Sequence, residues 1–148
     1  MMNEPCGCSC GCSGSDSTGG SCSDGCVTND APTQVYACAG ASNVGRISFD
    51  LTMALHEAGR YKMGCSTCIG AGDCGCGGTV TPEGRKDLLI DGCKVACLKK
   101  MFEKQGITEF DHVIVTQLGV RKEGTFSYPD GLIDQLMDKL ARKGLYKL

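Results

Sequence analysis

The sequence predicts an α/β fold: three layers, with a mainly parallel four-stranded sheet and flanking helices. Short apolar runs alternate with amphipathic stretches of about twelve residues, as strands joined by helical crossovers require. Gly59, Gly106 and Gly144 close those stretches, where a helix stop favours a left-handed residue. Seven of the thirteen cysteines fall at strand ends or in the loop after one, at the edge where parallel sheets carry their chemistry.

Residues 34–38 read as a short buried strand, followed by the loop 39–45. A helix comes next, with Ile47, Leu51, Ala54, Leu55 and Ala58 on one face. Residues 60–65 form a second, weaker strand. Residues 66–86 are too rich in glycine for an element interior and read as a mobile loop. Residues 87–91 are the third strand. A helix beginning near Cys93 runs to Gln105, with Val95, Leu98 and Phe102 facing the core. Residues 112–118 are the fourth strand. Tyr128-Pro129-Asp130 then introduces a last helix that turns Leu132, Ile133, Leu136, Met137 and Leu140 inward.

Residues 1–33 differ in kind. They are mostly Cys, Gly, Ser and Asp, a composition that cannot bury a core and predicts a disordered, flexible tail. Of 148 residues, roughly 115 remain for residues 34–148, enough for one domain. With Trp absent and only four Tyr and four Phe, the core must rest on aliphatic residues, Met and Cys.

The net charge of −2 and scattered lysines argue against nucleic acid as a partner. No stretch approaches the ~20 apolar residues of a membrane span. The first residues show neither a basic region nor an apolar core of a secretory signal, so a cytoplasmic protein is expected. A reducing compartment makes thirteen thiols metal ligands or redox groups rather than a disulfide framework.

Four cysteines stand at predicted strand ends: Cys38, Cys65, Cys93 and Cys97. Structural zinc takes four tetrahedral ligands at about 2.3 Å from sulfur, and four thiolates satisfy it. Cys93 and Cys97, four apart near a predicted helix start, would lie about 6 Å apart on one face. Free cysteines are often just small buried hydrophobes, but four at one edge make that reading the weaker one. Asp91, beside Cys93, either orients a ligand or braces the turn with Gly92.

These segments resemble a family. Tyr36-Ala37-Cys38-Ala39-Gly40-Ala41-Ser42-Asn43-Val44-Gly45, Met63-Gly64-Cys65 and Asp91-Gly92-Cys93-Lys94-Val95-Ala96-Cys97 are similar to the DGC-domain proteins over roughly residues 34 to 119. Those are small prokaryotic proteins, candidate zinc binders named for Asp-Gly-Cys. The resemblance implies Cys38, Cys65, Cys93 and Cys97 as metal ligands; it does not imply an enzymatic activity. The chain departs from the family at Ser66, Thr67 and Cys68, where Leu, Ala and Gly are usual, and in its cysteine-rich tail.

Other sets stay open. Cys65, Cys68, Cys74 and Cys76 could hold a metal within one loop, and the same thiolates suit an iron–sulfur cluster. Cys6, Cys8, Cys10 and Cys12, with Cys22 and Cys26, could capture a soft metal. A thiol-redox or sulfur-carrier role could use Cys93 or the Cys65/Cys68 pair. An oxyanion-binding phosphatase loop needs Cys-x5-Arg, but Arg46 stands two places too late after Cys38. His56, outside the first helix's apolar face, and His112, placed at the edge opposite the cysteines, are not expected to be ligands.

Overall fold

A computed structural model describes residues 33–72 and 86–145. The tail expected over 1–33 lies outside the described residues except for Thr33, as do Cys74 and Cys76. In chain order the elements are β1 (Gln34–Ala37), α1 (Asn43–Glu57), β2 (Lys62–Met63), α2 (Ser66–Ala71), β3 (Asp87–Asp91), α3 (Cys97–Lys104), β4 (Phe110–Ile114), a 3₁₀ turn (Val115–Leu118) and α4 (Leu132–Arg142).

The strands form one sheet in the order β2-β1-β3-β4, with every pairing parallel. In register, Tyr36 sits opposite Leu89, and Leu89 opposite His112. All five residues of β3 are buried, as a central strand covered on both faces requires. Val35, Leu88, Ile90 and Val113 pack with Leu51 and Leu55 of α1 and Leu136 and Leu140 of α4 on one side. Tyr36 and Leu89 pack with Ile69 of α2 and Leu98 and Phe102 of α3 on the other. The crossovers through α1 and α3 run in opposite directions across the sheet, so one hand for both puts these helices on opposite faces. That is the three-layer arrangement expected.

Several boundaries differ from the sequence reading, each for a local reason. Helix α1 starts at Asn43 because the Ser42 hydroxyl, 3.4 Å from the Gly45 amide, caps it. Strand β2 holds only two residues, and Ser66 then opens α2, anchored by its hydroxyl to the Ala37 carbonyl at 2.8 Å. The segment 66–86 is thus not a loop throughout. Helix α3 starts at Cys97, not near Cys93. Val95 therefore precedes the helix and is 53% exposed instead of buried in the core. Strand β4 begins at Phe110, and residues 115–118 form the 3₁₀ turn instead of extending it. Among the described residues, no helix is long and apolar enough to cross a membrane.

Phe102 anchors the α3 side. It is fully buried, edge-on to Tyr36 at 4.8 Å and to Phe110 at 6.1 Å between ring centroids. Phe102→Ala should lower the unfolding free energy by about 3–5 kcal/mol in a urea titration. A loss below ~1 kcal/mol would mean that this layer contributes little to the core.

Candidate functional site

In the order β2-β1-β3-β4, the chain leaves β1 toward β2 and leaves β3 toward β4. The loops after β1 and β3 therefore diverge, and a crevice opens outside the carboxyl ends of those two strands. Cys38 follows β1, and Cys93 and Cys97 follow β3. All three line one cavity of about 310 Å³, together with Gly40, Ser42, Val95 and Lys122 among others.

The loop after β1 is tightly built. Cys38 donates its amide to the Ile90 carbonyl at 3.0 Å, which extends the sheet by one residue. Ala39 then takes φ 45°, a left-handed conformation that costs a non-glycine residue roughly 1–2 kcal/mol. Ser48 holds this turn: its hydroxyl accepts from the Ala39 amide at 3.4 Å and donates to the Gly45 carbonyl at 2.8 Å. Gly45 packs directly on Gly40: a Cβ there would lie 1.9 Å from the Gly40 oxygen. The Cys38 thiol is half-buried between amides of Gly92 and Gly40. Burial pushes this thiol up, the Asp91 carboxylate and Cys97 push the same way, and the two amides oppose them only in part.

The loop after β3 is fixed by Asp91, which is 1% exposed. Its carboxylate accepts from the Leu98 amide at 3.0 Å, the Lys99 amide at 3.1 Å and His112 Nε2 at 2.9 Å. It thus caps α3 from six residues upstream of the helix and ties it to β4. Both roles weighed for Asp91 meet here, since bracing the turn also places Cys97. Gly92 meets the start of α1, where a Cβ would lie 2.9 Å from the Val44 carbonyl carbon. The turn closes with the Ala96 amide on the Cys93 carbonyl at 3.0 Å and Ala96 at φ 52°. Cys97 becomes the first residue of α3 and is exposed.

A third segment walls the cavity. Asn43 donates from Nδ2 to the Arg121 carbonyl at 2.9 Å, and its Oδ1 accepts from the Glu123 amide at 2.8 Å. This clasp lays residues 121–123 over the start of α1. The Lys122 ammonium then reaches Cys93 Sγ at 3.5 Å. Lys122 was not among the site residues the sequence suggested. Asn43 lies in the quoted motif, but nothing in the sequence ties it to residues 121–123.

The remaining candidates lie elsewhere. Cys65 caps no amide at the start of α2, is exposed, and is not among the cavity-lining residues. Cys68 is disulfide-bonded whereas Cys65 is a free thiol, so these two are not joined to each other. Among the described residues, no three Cys, His, Asp or Glu side chains stand close enough to hold a metal ion together. His112 does not begin its strand at the edge away from the cysteines. It lies mid-strand and bonds Asp91, because β4 starts two residues earlier than its apolar pattern suggests. His56 is exposed, and its Nδ1 accepts from the Met63 amide at 3.3 Å. Arg46 pairs with Asp50 at 3.2 Å and lies over the Tyr128 ring, so its guanidinium is engaged away from the loop at Cys38.

Residues 34–140 match the DGC domain. The chain belongs to the DGC-domain family. It is also similar to the anaerobic and virulence modulator AnvM of Pseudomonas aeruginosa, with 32% identity over 88 residues. That match covers 60% of this chain and 66% of AnvM, just under two thirds of the relative's length. No solved structure matches the chain. The three motif segments now have physical roles: the first builds the β1 turn and the Asn43 clasp, the second ends β2, and Asp-Gly-Cys caps, packs and faces the cavity in turn.

The pH dependence of Asp91 follows from its partners. Burial alone would raise its pKa, but the bonds from His112, Leu98 and Lys99 outweigh burial and hold it below the usual carboxylate range. A depressed folded value contributes stability that is complete above the unfolded value near ~4 and is lost as pH falls through the folded one. Asp91→Asn should therefore cost about 2–3 kcal/mol at pH 7, with the deficit shrinking below pH ~4. Urea midpoints across pH 2.5–7 check this (a range of about four to five pH units around the carboxylate value); a deficit independent of pH excludes the charged cap.

Proposed function

We propose that this protein is a cytoplasmic metal-binding protein that holds zinc through Cys38, Cys93 and Cys97, with Cys65 as fourth ligand. The observation that carries this reading is the cavity at the sheet's reversal point, where two loops distant in sequence bring three sulfurs to one space. Donor chemistry supports zinc, since an all-thiolate set suits a tetrahedral cation that needs no redox partner. The metal is the only partner that this reading requires, with neither nucleic acid nor membrane involved.

The spacing of the sulfurs adds a condition. Because no three ligating groups already stand within reach among the described residues, binding must draw the set inward. Cys97 and Cys65 are both exposed at helix starts and are the two that can move with least loss of packing. Cys38 must give up its proton, so metal uptake releases protons and weakens as pH falls.

An iron–sulfur cluster would use the same thiolates. One observation favours keeping that reading: the relative's name marks it as an anaerobic modulator, and oxygen-sensitive clusters persist without oxygen. Protein purified without oxygen should carry one zinc and no sulfide. Cys38→Ser, Cys93→Ser and Cys97→Ser should each lose affinity beyond the ~10–100-fold typical of removing an outer partner. Cys74→Ser and a chain lacking residues 1–30 should keep the metal. A brown sample with stoichiometric iron and sulfide replaces zinc with a cluster; retention of metal in Cys93→Ser moves the site out of the cavity.

A further inference from the structure

The three cavity thiols are not equivalent. Cys38 is half-buried under backbone amides, and Cys97 is open to solvent at the helix start. Cys93 has the Lys122 ammonium 3.5 Å from its sulfur. Among the free cysteines Cys38, Cys65, Cys93 and Cys97, it is the one whose sulfur a side-chain cation contacts. Such a donor offers a thiolate a charge-assisted partner. The Asn43 clasp fixes the backbone on both sides of Lys122 and so keeps its exposed side chain within reach of Cys93.

We infer that Cys93, with Lys122 beside it, is a sulfur-acceptor thiol that takes the outer sulfur of a small persulfide. The inference rests on the cavity used in the metal reading and describes its metal-free state. The space, about 310 Å³, admits a small molecule or the end of a longer one. Its walls include Ala41, Val44 and Val95 beside the sulfurs. Apolar, polarisable walls suit a sulfane sulfur better than a peroxide or oxyanion, whose leaving oxygen needs several donors. The Arg46 guanidinium, at the start of α1, is paired with Asp50.

The step balances without an outside oxidant. The Cys93 thiolate attacks the outer sulfur of an alkyl persulfide, forming a new S–S bond. The donor's own S–S bond breaks, and the donor departs as a thiolate. The proton on the outer sulfur travels with it, giving a persulfide on Cys93. Lys122 meets the negative charge of the attacking thiolate, and the charge then leaves on the donor thiolate.

The test uses the full chain, reduced and stripped of metal, exposed to glutathione persulfide, with peptide mass mapping over time. The peptide containing Cys93 should gain one sulfur atom. Cys93→Ser should abolish that gain, Lys122→Met should slow it about tenfold, and Lys122→Arg should preserve most of the rate. Lys122 is exposed, so its variants should leave folding intact. Sulfur appearing on Cys38 or Cys97 with Cys93 unmodified overturns the inference. So does a whole-glutathione adduct, or an unchanged rate in Lys122→Met. Zinc titration of the same preparation separates the two readings. Sulfur uptake without zinc binding removes the metal reading alone, and zinc binding without sulfur uptake removes this inference alone.

Discussion

The buried carboxylate of Asp91 is the interaction on which the site depends. It stands at the end of the central strand, 1% exposed, with three hydrogen bonds reaching two other elements. An unpaired charge there would cost several kcal/mol, so α3 and β4 must present their donors where they do. Fixing α3 fixes Cys97. Fixing the strand end fixes Gly92 against α1 and turns Cys93 to the cavity. The Asp-Gly-Cys sequence is thus three consecutive constraints: an acceptor, an absence of side chain, and a sulfur.

Asn43 supplies the complementary tie from the other loop. Its side chain satisfies a carbonyl and an amide about eighty residues away in sequence, at Arg121 and Glu123. Since buried backbone groups must find partners, one amide side chain that serves both ends of a short segment is an economical clasp. The cavity is therefore assembled from three separate stretches, each held by buried polar bonds and not by apolar contact alone. Two alanines at positive φ, Ala39 and Ala96, flank it. Strain concentrated beside a cavity is tolerated only where the surroundings over-determine the backbone.

The architecture was legible where hydrophobic pattern decides it. Residues 87–91 read as a buried strand because Leu88, Leu89 and Ile90 form an apolar run, and the last helix read correctly from its spacing. The start of α3 was not legible. Cys93 and Cys97 stand four apart, a helical spacing, yet the helix is capped from Asp91 and the intervening residues form a turn. Nothing in an alanine announces that Ala96 adopts a left-handed conformation. Strand order, too, is invisible to periodicity. The edge carrying the sulfurs could be predicted, but the crevice between β1 and β3 could not. Lys122 was missed for the same reason: its role comes from Asn43, across a sequence distance no local pattern spans.

The contrast among the three thiols bears on what the cavity is for. A closed tetrahedral metal site makes its sulfurs alike, since each must be a thiolate in the same ionic field. Here burial holds Cys38 toward its neutral form, an ammonium attends Cys93, and solvent reaches Cys97. Metal binding has to erase those differences, by displacing a proton at Cys38 and by bringing in Cys65 from the neighbouring strand end. Sulfur chemistry would instead use them, with one thiol poised and the others waiting beside it. The fold serves either end because its polar ties stop at the cavity wall: Asp91 and Asn43 fix the backbone on each side and leave the sulfurs themselves free to respond.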